Sequence, residues 1–272
     1  MGTTAQKLNK ILETKEAIRT AINNKGGTLT TTDTFASYPS AIDSLPSGGG
    51  GSLKTLLDAT KSTYYLFFNY SGTSVEGLIS YSDTSGVENM RYMFFNCPNL
   101  STIPQLDTSS VTNMEDMFSN CSSLITIPQL DTSKVTSTSN MFYKCQNLTT
   151  ISQFDTSKVI DMRNMFRYCY NLTTIDITHM NLTSTSNSSY FADDCYSLTK
   201  LIIRNMPSIP NINSNTFTDC YHFKGITNAT YNPQGLKDGR IYVPDDKVDA
   251  LKKATNWSAY SDIIVPLSTL VE

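Results

Sequence analysis

Six cysteines, at positions 97, 121, 145, 169, 195 and 220, are the residues of this chain most suited to chemistry, and their spacing decides which chemistry. Consecutive gaps are 24, 24, 24, 26 and 25 residues. An even number of cysteines could form three disulfides or gather a metal ion. A metal site would need a CxxC pair or a Cys/His cluster, and the sequence has neither. An even period instead places each cysteine at the same point of a repeated unit, so all six share one column facing one interior. A buried thiol in such a column packs as a small hydrophobe or caps a turn. The expectation is six reduced structural thiols, which fits folding in a cytosol.

The remaining reactive residues are sparse. Only two histidines occur, His179 and His222, and there is no GxSxG, HExxH or P-loop motif. No enzymatic activity is therefore expected. Asp83, Asp107, Asp131 and Asp155 recur with the cysteines and could form a calcium ladder, since calcium would relieve the repulsion of stacked carboxylates. Asp-Thr-Ser before a turn or helix is also what capping requires, and the paired glycines of calcium-binding β-helices are missing. The capping role is preferred, with no metal and no cofactor. Two columns could meet a ligand. Tyr170, Tyr196 and Tyr221 follow the cysteine in three successive units, where earlier units have Pro98, Ser122 and Gln146. Tyrosine combines apolar area with a hydroxyl at low entropic cost. Gln105, Gln129 and Gln153 form the second column, able to bond a ligand or to stack on itself.

These columns need a scaffold that repeats. Leu106 to Val111, Leu130 to Val135 and Phe154 to Val159 share the pattern Leu/Phe-Asp-Thr-Ser-x-Val, with a shorter version from Asp83. Met-Phe pairs (Met93-Phe94, Met117-Phe118, Met141-Phe142, Met165-Phe166) precede the cysteine, and apolar residues lie three and six places after it, as Leu124 and Ile127. Val111, Met114, Met117, Phe118 and Cys121 fall at helical spacing, which predicts a short helix or 3₁₀ turn capped by the Ser/Thr/Asp cluster. Residues 124–127 read as a short strand limited by Pro128. A unit this small buries no core alone, so neighbours must stack. The fold class expected is an α/β repeat solenoid, a leucine-rich-repeat-like right-handed coil of about seven strand–turn–helix units over 81–226. Later units degenerate: His179 replaces the aspartate, and the unit at Cys220 keeps only Phe217 of its Met-Phe pair.

The ends differ. Residues 1–46 read as a helical module preceding the solenoid, with Leu8, Ile11, Leu12, Ile18 and Ile22 as a narrow apolar stripe. An isolated helix of that length is marginal, so the stripe calls for a partner: its own copies, another protein, or the solenoid itself. Ser47 to Ser52 is a Gly/Ser linker. Residues 53–80 are expected to cap the open end, with an aromatic binding platform as the alternative. Residues 227–272 close the other end, with a strand and then a helix start over Arg240 to Asp246, the helix continuing from Val248 to Ala254, and Trp257 and Tyr260 packed beneath it. Net charge is −3, which gives no reason to expect nucleic acid. No apolar run suits membrane insertion, and Met1 to Gln6 lacks an apolar signal core.

The unit LDTSKVTxMxxMFxxCxxLxTIP resembles the BspA-like leucine-rich repeats of bacterial surface proteins and tailed-phage virion proteins, over roughly residues 75–226. The closing segment from Ile241 is similar to one that often ends such arrays. Residues 7–45 resemble an N-terminal module of phage structural and tail-associated proteins. The resemblance implies a non-enzymatic phage virion protein, tail or fibre in type, made in the host cytoplasm and extracellular after release. Residues 1–46 would attach it to other virion proteins as a homo-oligomer, with a trimer favoured, and the repeats would bind a host-surface protein or glycan. A purely structural virion adaptor and a bacterial surface adhesin are the alternatives.

Overall fold

The computed structural model describes residues 61–76, 79, 81–179, 185–212, 214–225 and 237–271. The helical stripe of Leu8, Ile11, Leu12, Ile18 and Ile22, the linker at 47–52, the start of the N-terminal cap and Ile226 lie outside the described residues.

The period of the sequence becomes a period of contacts. Apolar residues at matching positions form one continuous core: Val87, Val111, Val135 and Val159, the four Met-Phe pairs, and all six cysteines are buried. Phe67, Phe94, Phe118, Phe142 and Phe166 stack ring on ring, with centroids 5.3, 5.4, 5.6 and 5.5 Å apart and planes within 7°. The stack turns edge-to-face between Phe166 and Phe191, within the span where the cysteine gap lengthens to 26 residues.

One face carries an open, wholly parallel five-stranded sheet in the order β1 (Thr150–Phe154), β2 (Thr174–His179), β3 (Lys200–Asn205), β4 (Arg240–Val243) and β5 (Ile264–Pro266). Ile151 pairs Ile175, Ile175 pairs Leu201, and Leu201 pairs Ile241, so one buried apolar ladder runs beneath the sheet. This arrangement is compatible with a repeat solenoid. A second line of parallel bridges links Ser62, Asn89, Asn113, Ser137 and Asp161.

Two expectations fail locally. Residues 124–127 are not a strand, and Thr102 of the preceding unit makes only an isolated bridge, to Ser74. Pro104 and Pro128 stand where later units have Ser152, Asp176 and Ile202; without an N–H, proline cannot extend a ladder. The sheet starts in the first unit that lacks it. Nor is the stretch before the cysteine helical. Residues 115–120 form consecutive turns. Met117, Ser119 and Cys121 donate their N–H groups to Met114, Asp116 and Phe118, while Asp116, Phe118 and Asn120 donate to Ser139, Met141 and Tyr143 of the next unit. Alternate N–H groups thus close turns or tie units together, which a helix cannot do. Asp116 and Asn120 take φ of 58° and 64°, as do Asn140 and Lys144, Asn164 and Tyr168, and Tyr190 and Asp194 in later units within about 10°. Described helices are short: α1 (Tyr81–Thr84), α2 (Tyr221–Lys224) and α3 (Val248–Lys253), plus 3₁₀ turns. At the C-terminal end Trp257 is fully buried, with its ring 6.0 Å from that of Phe217 and its indole N–H donating to Pro210 O at 2.9 Å.

Candidate binding surface

The cysteines are free and buried. Each thiol donates to a carbonyl of the preceding unit: Cys97 to Phe67, Cys121 to Phe94, Cys145 to Phe118, Cys169 to Phe142, Cys195 to Phe166 and Cys220 to Ala192, at 2.9–3.1 Å. Burial pushes the thiols of Cys121, Cys145, Cys169, Cys195 and Cys220 well up. Such burial disfavours the thiolate that a nucleophile or metal ligand requires.

Asp107, Asp131 and Asp155 cap turns; the Asp83 side chain lies outside the description. Asp107 and Asp131 each accept the backbone N–H and hydroxyl of the serine two residues on, at 2.6–3.0 Å, and Asp155 accepts the Ser157 N–H at 2.9 Å. The Ser133 hydroxyl and N–H hold Asp131 below the ordinary carboxylate range. At Asp155 burial works upward, but hydrogen bonds from Ser157 and Thr178 outweigh it and the net shift is down. Among the described residues no group of His, Cys, Asp or Glu is arranged to hold a metal. Gln105 Nε2 donates to Gln129 O at 2.6 Å, and Gln129 is engaged as well. The Gln105 side chain thus ties to the backbone of the next unit. The Gln153 side chain lies outside the description.

Tyr170, Tyr196 and Tyr221 come together. Their rings stack at 4.8 Å and 4.8 Å with planes within 4°, and all three are half-buried. Their faces cover one another, so what they offer outward is ring edges and hydroxyls on a rigid ribbon. Tyr196 donates its hydroxyl to Asp194 at 2.9 Å, and burial followed by that carboxylate raises its pKa.

The column of three omits half of the patch. Tyr168 packs edge-on to Tyr170 and to Tyr143. The Arg167 guanidinium sits 4.7 Å from the Tyr168 ring centre and 4.1 Å from that of Tyr190, and Arg167 pairs with Asp193 at 2.8 Å. Lys144 lies over Tyr143 and Tyr168 at 5.2 and 5.8 Å. The signal was present one and two places before the cysteine, where Tyr143, Lys144, Arg167 and Tyr168 accumulate in two successive units. A second aromatic group sits at the N-terminal end, with Tyr65 stacked on Tyr92, Phe68 on Phe95, and Arg91 over Tyr92.

Stacked repeat units with a continuous core and an aromatic, cationic turn face define a repeat protein with a surface suited to contact. The family model described as "Mycoplasma protein of unknown function, DUF285" matches residues 61–150 and again 124–229, more than half of the 272-residue chain, and the protein belongs to that family. The overlap of the two matches is what a repeated unit allows, and membership is consistent with a BspA-like repeat protein. No curated protein and no solved structure matches the chain.

Proposed function

We propose that this is a non-enzymatic recognition protein of a tailed-phage virion, and that its repeats form a right-handed leucine-rich-repeat-like solenoid presenting the tyrosine patch to a host-surface protein or glycan. Residues 1–46 attach it to the particle as a trimer. The observation that supports contact through this face is the Tyr170, Tyr196 and Tyr221 stack with Arg167 and Lys144 beside it. Rigid aromatic and arginine groups are the residues that dominate binding energy at protein interfaces. They lose little entropy on contact because neighbouring rings already fix them.

Fluorescent full-length protein incubated with a panel of bacterial strains tests this. Saturable binding confined to certain strains, weakened about tenfold or more by Tyr196→Ala with Tyr170→Ala, is the expected result. Strain-independent or absent binding would favour a structural role within the particle. The family description names Mycoplasma, which favours one second reading, a bacterial surface adhesin. Selective binding to animal cells instead of bacteria would select it.

A further inference from the structure

Elsewhere on the molecule, between the Gln-Leu-Asp-Thr segments of successive units, lies a groove of about 540 Å³ lined by Gln105, Asp107, Thr108, Gln129, Asp131, Thr132 and Asp155 among others. Its aspartates are accounted for by their turns. Its threonines are not. Thr84, Thr108, Thr132 and Thr156 form a column at the 24-residue period. Thr84 Oγ1 accepts the Asp107 N–H at 2.7 Å, and Thr156 Oγ1 bonds both the N–H and the carbonyl of His179. Thr108 and Thr132, between them, are 2% and 1% exposed, and their hydroxyls have no hydrogen-bond partner. A buried hydroxyl is rarely left unpaired, because nothing replaces the water it gave up. The two unpaired members of the column are the two that line the groove.

We propose that this groove binds a neutral oligosaccharide laid along the stacking direction. Carboxylates, carboxamides and hydroxyls recur in it from unit to unit, and a chain of polyhydroxylated units is the ligand whose own groups recur and can both donate and accept. No lysine or arginine lines the groove and three aspartates do, so phosphates, sulfates and sialylated glycans are repelled. The absence of a metal-holding cluster among the described residues argues against a cation alone. The site is separate from the tyrosine patch and does not rest on it.

Isothermal titration of the full-length protein with linear neutral oligosaccharides of two to six sugars, with tri-lysine and calcium chloride alongside, tests the proposal. The variant Thr108→Val/Thr132→Val keeps side-chain shape and removes both hydroxyls. The expected result is that at least one neutral oligosaccharide binds, that the double variant weakens it about tenfold or more, and that the variant melts at the same or a higher temperature. Tyr196→Ala should leave this binding unchanged, which separates it from the surface-recognition assay. The proposal is overturned if no neutral oligosaccharide binds, if binding survives the double variant, or if only tri-lysine or calcium binds.

Discussion

The Cys145 thiol and the Cys121 N–H share the two lone pairs of one acceptor, Phe118 O, at 3.1 and 3.0 Å. The cysteine is thus a seam between units as well as core filler. Cys145→Ala should remove the donor and leave a small cavity, costing about 1–3 kcal/mol in denaturant melts. Native protein should be inert to Ellman's reagent and expose six thiols on unfolding; reaction of folded protein would contradict the burial. Asp116 is a residue whose charge opposes the fold. Burial, then the Glu115 carboxylate, push its pKa up to about 7 from 3.8. The folded state therefore holds this proton more tightly than the unfolded chain. Its contribution is most favourable below about pH 4, declines as pH rises to about 7 and is flat above. Asp116→Asn, uncharged throughout, should raise the melting temperature at pH 8 and leave it nearly unchanged at pH 4. The gain is at most about 4 kcal/mol from the size of the shift, and equal effects at both pH values would refute the assignment.

At the scale of the element, the consecutive turns before the cysteines explain what the sequence could and could not say. Valine, methionine, phenylalanine and cysteine at three- and four-residue spacing suit one face of a helix. Three consecutive four-residue turns, 114–117, 116–119 and 118–121, point the same positions inward, so the apolar pattern does not separate helix from turns. The separating signal lay in Asp116, Asn120, Asn140, Asn164 and Asp194, residue types that tolerate positive φ. The burial columns, the free thiols and the tyrosine column needed only the period, whereas the Arg167 and Lys144 contacts needed the relative rotation of neighbouring units. Asn120, at φ 64°, offers a clean test. In a helix valine would be better tolerated than glycine. In the observed turn the order inverts: Asn120→Gly should be within about 0.5 kcal/mol of the parent, and Asn120→Val should lose about 1–2 kcal/mol. Thermal melts of the two variants decide it.

At the scale of the whole molecule, stability is a chain of nearest-neighbour contacts. Each phenylalanine in the stack touches the one before and the one after, and each ladder hydrogen bond spans one unit boundary, so damage is expected to stay near its source. The C-terminal end makes this testable, because Trp257 is anchored there to Pro210 O and the ring of Phe217. Trp257→Ala should cost about 3–5 kcal/mol there, the range for deleting a buried large aromatic. In native-state hydrogen exchange, amides of β3, β4 and β5 should lose protection first. Those bonding unit to unit around Phe118 and Phe142 should keep most of theirs, since the rings of Phe166 and Phe191 and the cysteine seams of their units separate them from the defect at Phe217. If all protected amides instead accelerate together, the units fold as one cooperative block and the coupling across each seam exceeds the stability of any single unit.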